Sequence, residues 1–260
     1  VTSCSTDSFA IRPNTLAISA ADMDWETAGT LRALNNTLAS GGVMHKAGQP
    51  FTLAAAAYNL AATPAVTSNY AGTPAAVLSS CAPATACTAS LGTLTIGASF
   101  TAGNLNATAA SYGEAGAFNL QLQDMDFASI DAGDTAADCT ASGYYVCSPA
   151  TAIGRFVPDH FDTVVLASGG VPMACPSGIT CPLLYFGVVY AGQSYTAQIT
   201  ARNAAGATTA NYGNATGLAK TVTLTAWDAL GSTVTQNPGP GTLINGSVAA
   251  TAFSNGVATA

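Results

Sequence analysis

Charge is what this chain has least of. Its 260 residues include 6 Lys and Arg, 13 Asp and Glu and 2 His, so charged side chains make up 7% of the sequence, against about 25% in an average globular protein. The net charge is −7 with no basic stripe, a balance that repels phosphate backbones and anionic headgroups and excludes nucleic acid as an expected partner. Long apolar runs are missing too. None approaches the roughly 18 residues of a membrane span, so no span is expected within this segment. Capped helical stripes of period 3.6 are also lacking, which argues against a helical fold.

Ala, Thr, Ser, Gly and Asn fill the space that charge leaves, and the length suffices for two domains. Of seven cysteines, six form local pairs: Cys81 and Cys87 around APATA, Cys139 and Cys147 around TASGYYV, Cys175 and Cys181 around PSGIT. Zinc sites favour CxxC-type spacing with His nearby, whereas these longer Pro-, Gly- and Ser-containing loops suit disulfides. Each closure is worth about 2–3 kcal/mol in the chain-entropy model. Disulfides place the chain in an oxidising compartment, the periplasm, cell surface or exterior. Cys4 is left over; because the sequence starts at Val1, its partner is expected upstream. With the alternating AFSNGVATA at the other extreme, the chain reads as a section of a larger exported protein.

Two halves repeat one order of signals. Ala47-Gly48-Gln49-Pro50-Phe51-Thr52, Asn69-Tyr70, Gly72, Gly92-Thr93-Leu94 and Phe100 with Gly103 are answered by Ala191-Gly192-Gln193-Ser194-Tyr195-Thr196, Asn211-Tyr212-Gly213, Gly241-Thr242-Leu243 and Phe253 with Gly256. Four matches in register indicate duplication. In AFNLQLQ, Phe118, Leu120 and Leu122 alternate with Asn119, Gln121 and Gln123, the period-2 pattern of a half-buried strand. YTAQITAR and TVTLTAW alternate likewise, separated by turn signals such as NPGPG and INGS. The expected fold is all-β, with tandem immunoglobulin-like β-sandwich modules. Residues 1–162 would form the first, with an Ala-rich insertion and an acidic loop, and residues 163–260 a related, truncated second. A short helix would fit within residues 22–39.

At the seam lies IGRFVPDHFD, where Arg155, Asp159, His160 and Asp162 gather in a chain otherwise poor in charge. FAIRP, AGQPFTL, NYAGTP, the Gly-Glu-containing SYGEAG and above all GRFVPDHF resemble the conserved C-terminal region of MshQ-type proteins, associated with mannose-sensitive haemagglutinin (MSHA) pilus systems. The resemblance covers most of residues 4–165. It implies a large, exported, surface-associated protein encoded with type IV pilus machinery, often with a lectin-like domain upstream, and it carries over no catalytic residues.

Two readings of the seam compete. A catalytic one makes His160 a general base oriented by Asp159 or Asp162, with Arg155 binding an anion. The structural one is favoured, since no nucleophile motif accompanies the cluster. It makes Phe156 and Phe161 buried anchors about a turn at Pro158, pairs Arg155 with an acid, and has His160 cap exposed backbone. Elsewhere, Asp124, Asp126, Asp131 and Asp134 could supply oxygens to calcium at millimolar affinity, although their spacing is not that of an EF-hand; no other cofactor is expected. Trp25, Tyr144, Tyr145 and Trp227 are candidate stacking surfaces for glycans, although Trp227 ends the alternating run TVTLTAW and reads as core. His45 and Lys46 read as a surface pair. A structural or adhesive module of a pilus or filament ranks first, with its own chain's other modules and filament subunits as partners; a sugar- or calcium-binding domain ranks second. A secreted hydrolase ranks last, so an enzyme is not expected.

Overall fold

The computed structural model describes residues 11–23, 29–80, 91–126, 137–140, 143–166, 195–225 and 243–260. Cys4, Trp25, Cys81, Cys87, Asp131, Asp134, Cys175, Cys181 and Trp227 lie outside the described residues. In chain order the strands are β1 (Thr15–Met23), β2 (Leu31–Ala33), β3 (His45–Lys46), β4 (Phe51–Tyr58), β5 (Ala75–Ser79), β6 (Leu94–Thr95), β7 (Asn104–Tyr112) and β8 (Gly116–Asp124). There follow β9 (Val146–Cys147), β10 (Thr151–Val157), β11 (His160–Val165), β12 (Ala197–Arg202), β13 (Val222–Thr223), β14 (Ser247–Val248) and β15 (Val257–Thr259). The fold is all-β, and no α-helix occurs among the described residues. Within residues 22–39, where a short helix would fit, the described residues instead include a strand pair, in which Ala21, Asp22 and Met23 face Ala33, Arg32 and Leu31. Cross-strand pairing and the Asp22–Arg32 contact override local helix propensity there.

The first core lies between two sheets, ordered β2-β1-β4-β7-β6 and β3-β10-β8-β5, with β9 added to β8. Strands β1, β4, β7 and β6 occupy the A, B, E and D places of an immunoglobulin-like sandwich, and β5, β8 and β10 occupy C, F and G. Alternation produces the interior. Leu53, Ala55 and Ala57 point inward from β4, and Phe118, Leu120 and Leu122 from β8, while Asn119, Gln121 and Gln123 face outward and are only partly covered. Phe156 is fully buried, its ring 5.4 Å from Phe51, 5.0 Å from Tyr112 and 6.1 Å from Phe118.

The second unit repeats the A, B and E strands as the sheet β11-β12-β15, beside a two-stranded ribbon β13-β14. Its core gathers Ile199, Ala201, Tyr212, Leu218, Val248 and Phe253. The duplication is reproduced in the aromatic pair and in the backbone bonds of the turn beside it. The Tyr70 and Phe100 rings meet edge to face at 5.0 Å, and the Tyr212 and Phe253 rings at 5.1 Å. Gly103 N donates to the Tyr70 carbonyl at 2.8 Å and Gly256 N to the Tyr212 carbonyl at 2.9 Å. Ala57 N bonds the Gly103 carbonyl at 2.8 Å, and Ala201 N bonds the Gly256 carbonyl at the same distance. Both glycines have left-handed φ values, 76° and 78°. A Cβ on either would lie 2.5 Å from a backbone oxygen, Thr67 O or Thr209 O. Only glycine satisfies both conditions, which explains why the repeat keeps it.

The chain crosses from the first core to the second at Pro158 and Asp159, between β10 and β11. Phe161 departs from expectation. It is 38% exposed, touching Tyr212 and Phe253 at ring distances of 5.4 and 6.1 Å, and is therefore not a buried anchor. Phe156 lies between two sheets, whereas Phe161 has one sheet beneath it.

Phe156→Ala is expected to lower unfolding stability by about 3–5 kcal/mol through cavity formation. Phe161→Ala should cost roughly 1 kcal/mol, since part of its surface stays in water. Gly256→Ala should exceed about 1 kcal/mol through backbone strain and the carbonyl clash. Urea denaturation of the three variants measures all of these, and equal losses at Phe156 and Phe161 would refute the assignment.

Candidate functional site

A tight turn at residues 46–49 starts the joint between the two cores. Gln49 N bonds the Lys46 carbonyl at 3.1 Å, and Gly48 N bonds the Tyr112 carbonyl at 2.7 Å. Gly48 has φ +82°, and a Cβ there would stand 2.9 Å from Ala204 N. Its bare backbone lets the two units close, with Ala204 N donating to the Ala47 carbonyl at 2.9 Å. Asp159 sits opposite. Its Oδ1 accepts from Gln49 Nε2 at 2.9 Å and lies 3.5 Å from Lys46 Nζ, while its Oδ2 accepts from His160 Nδ1 at 2.9 Å. Partial burial works to raise the Asp159 pKa, yet Gln49, His160 and Lys46 together outweigh it and hold the carboxyl below its usual range. Asp159 N also bonds the Arg202 carbonyl at 2.7 Å, anchoring the start of the second sheet.

Glu114 is the other half of the clasp. It is buried at 7% exposure in the turn between β7 and β8. Its Oε1 accepts from Ala115 N at 2.7 Å and Asn211 N at 3.1 Å, and its Oε2 accepts from Ala210 N at 3.0 Å. One carboxylate thus satisfies two backbone donors of the second unit while belonging to the first. Burial pushes its pKa up, and the three N–H donors oppose that push without cancelling it. Two asparagines complete the set: Asn203 Nδ2 donates to the Gly113 carbonyl at 2.9 Å, and Asn211 Nδ2 to the Ala115 carbonyl at 3.2 Å. Asn203 Oδ1 meanwhile accepts from Ala205 N and Ala207 N, both at 3.0 Å, and so fixes its own turn.

The residues expected at the seam divide. Pro158 and Asp159 stand at the crossing, with Asp159 central to the clasp. His160 is largely exposed and bonds the Asp159 carboxylate instead of capping backbone; its Nε2 lies 3.8 Å from Asp162 Oδ1. Asp162 is drawn off by Arg202, whose Nε donates to Oδ2 at 2.8 Å. Arg155 pairs with no acid among the described residues. It is buried in the first core, donates through Nη1 to the Leu38 carbonyl, and has its pKa lowered by burial. Its place on β10 turns it inward, away from the acids after Pro158.

His45 is likewise not a surface group. It is buried, its ring edge-on to Phe51 and Phe156 at 6.0 and 5.8 Å, with Nε2 donating to the Gln49 carbonyl at 3.2 Å. Asp22 is fully buried beside it, 3.7 Å from His45 Nδ1, and its Oδ2 accepts from Arg32 at 3.0 Å. The parallel pairing of β3 with β10 draws His45 inward, opposite Phe156. Among the calcium candidates, Asp124 is buried at the end of β8. Its Oδ2 accepts from Tyr70 Oη at 2.6 Å and its Oδ1 from Asp126 N at 2.9 Å. Burial, then the Asp124 bond, pushes the Tyr70 phenol well above its ordinary range. Cys139 and Cys147 form a disulfide with Cα atoms 5.7 Å apart.

The two clasp carboxylates carry opposite pH signatures. Asp159, depressed in the folded state, contributes stability above the ordinary Asp range near about 3.9 and loses it as pH falls through its folded value. Glu114, raised, makes a contribution that is full below about 4.3 and is lost as pH rises through its folded value. The stability advantage of the native chain over Asp159→Asn should therefore shrink with acid, and its advantage over Glu114→Gln should shrink with base. At fixed pH, Glu114→Gln should cost about 1–3 kcal/mol, because the amide turns a donor towards a backbone N–H. Denaturant titrations from pH 3 to 8 check both slopes, and parallel curves would refute the assignment.

The comparisons with known proteins bear on the same span. No curated protein and no solved structure matches the chain. The family pattern described as DUF6701, third domain, matches residues 114–260, starting at the clasp glutamate and taking in β8 through β15. That span is more than half of the 260 residues, and the chain belongs to the DUF6701 family.

Proposed function

We propose that this chain is a structural or adhesive segment of an exported, surface-associated protein linked to a type IV pilus of the MSHA kind or to another extracellular filament. The observation that carries the reading is the joint. Glu114 and Asp159 tie two copies of one β unit together through backbone and side-chain bonds, which suits a segment that holds a set spacing and orientation under load. The Cys139–Cys147 bridge supports the exported location, since such bonds persist in oxidising compartments. The resemblance of GRFVPDHF and its companion motifs to MshQ-type proteins supports the pilus association. On this reading the chain performs no chemistry, and its partners are neighbouring modules and filament subunits.

Immunogold labelling of intact cells, together with non-reducing peptide mapping of the extracted protein, tests the proposal. Labelling is expected at the cell surface and should be lost when pilus assembly is disrupted. The maps should recover Cys139–Cys147, together with Cys81–Cys87 and Cys175–Cys181. A cytoplasmic pool carrying reduced Cys139 and Cys147 would overturn it.

A further inference from the structure

The donors that receive Glu114 on the second unit recur on the first. Tyr58 and Val66 bridge as Arg202 and Thr208 do. Thr67 N bonds the Ala57 carbonyl at 2.8 Å, as Thr209 N bonds that of Ala201 at 3.0 Å. One tight turn follows in each, with Tyr70 N on the Thr67 carbonyl at 2.9 Å and Tyr212 N on the Thr209 carbonyl at 3.0 Å. Ser68 and Asn69 therefore stand where Ala210 and Asn211 stand. Asn59 likewise matches Asn203: its Oδ1 accepts from Ala61 N at 3.3 Å and Ala65 N at 3.0 Å, as Asn203 Oδ1 accepts from Ala205 N and Ala207 N. What differs is the other half of each contact. On the second unit Ala210 N and Asn211 N hold the Glu114 carboxylate, while Asn203 Nδ2 and Asn211 Nδ2 hold the Gly113 and Ala115 carbonyls on either side of it. Asn59, Ser68 and Asn69 are exposed. Among the described residues, Ser68 N, Asn69 N, Asn59 Nδ2 and Asn69 Nδ2 make no hydrogen bond. Asn59 and Leu60 line a groove of about 320 Å³ with Tyr58, Ala61 and Pro64; against their counterparts, Asn203 and Ala204, the turn at Ala47 and Gly48 is seated.

We propose that Asn59, Ser68 and Asn69 form a carboxylate-binding site that takes the glutamate of a Gly-Glu-Ala turn from another unit of this family. The glutamate side chain seats on Ser68 N and Asn69 N, and the Asn59 and Asn69 amides take the carbonyls on either side of it. Each of these roles is filled on the second unit by the matching residue. Two adjacent backbone N–H groups at a turn select an anion, and a carboxylate has an oxygen for each of them. The flanking amides add recognition of the turn itself, because they read carbonyls that a free anion lacks. All of these donors belong to the first unit, so the match holds whatever residues precede Val1. The site is independent of the surface-protein reading.

The probe is a peptide of residues 111–116, SYGEAG, cyclised head to tail and titrated into the isotope-labelled 260-residue chain while its backbone amides are followed by NMR. Saturable shifts of the Ser68 and Asn69 amide protons are expected in the millimolar range, with the Ala210 and Asn211 amides unmoved because Glu114 already holds them. Ser68→Pro removes one donor at the second position of a β-turn, where proline is favoured, and should weaken binding, read at Asn69, by about tenfold or more. Asn69→Asp, at an exposed position, repeats the test should Ser68→Pro impair folding, since its carboxylate repels that of the probe. A probe with Gln in place of Glu should leave both amides unmoved. Absence of shifts at Ser68 and Asn69 would overturn the proposal. So would an equal response to sodium acetate, because the site would then read a bare anion and nothing of the turn.

Discussion

Glu114 holds a carboxylate where little water reaches it, and the relation between the two units depends on that group. Burial disfavours its charge, and the three backbone N–H groups that meet it are the compensation. Two of those donors belong to the turn that carries Asn211 and Tyr212, so the clasp fixes the entrance to the second aromatic pair as well as the joint. Asp159 fixes the opposite side, where the backbone leaves β10 and at once enters β11. With φ locked at Pro158 and Asp159 N committed to Arg202, the crossing has little freedom to hinge.

The duplicated unit is conserved as a set of bonds more than as a set of residues. Ala102 and Asn255 share a left-handed φ, 50° and 49°, with different side chains. Thr101 and Asn104 exchange two bonds of 2.8 and 3.0 Å, as do Ser254 and Val257, again with little likeness in the residues. What recurs in the sequence is the Tyr, the Phe and the Gly. The tyrosine and phenylalanine make the edge-to-face pair, and the glycine allows the turn that brings them together.

That logic separates what the sequence reveals from what it hides. The inward set Phe118, Leu120 and Leu122 is legible because alternation is local, and the repeat is legible because its glycines and aromatics admit few replacements. Glu114 carries no such signal. Its partners, Ala210 and Asn211, lie 96 and 97 positions away, and a lone Glu between Gly and Ala looks like any exposed turn residue. SYGEAG marks it by family resemblance alone. His45 misleads for a similar reason: beside Lys46 it reads as polar surface, and only the parallel pairing of β3 with β10 turns it under Phe51 and Phe156. Phe156 and Phe161 stand five positions apart in similar local contexts. Their burial differs because one lies beneath a second sheet, a fact of topology that no local pattern encodes.

The scarcity of charge fits the same picture. All six cationic side chains bind groups of the protein itself. Arg12 reaches the Tyr144 carbonyl, Arg32 reaches Asp22, Lys46 reaches Asp159 and Arg155 reaches the Leu38 carbonyl, while Arg202 reaches Asp162 and Lys220 the Gly217 carbonyl. Arg12 and Arg155 each bridge more than a hundred positions of sequence, and Lys46 carries the first unit to the crossing. Surface ion pairs in isolation contribute little to stability. These groups are spread over β-rich units whose exposed faces are mostly Ala, Thr, Ser and Asn. Their value lies in direction: each charged head has few competing partners nearby, so the contacts it makes define how one segment sits on another. A surface richer in charge would offer many alternative pairings of similar energy, and the joint at Asp159 would be less uniquely specified.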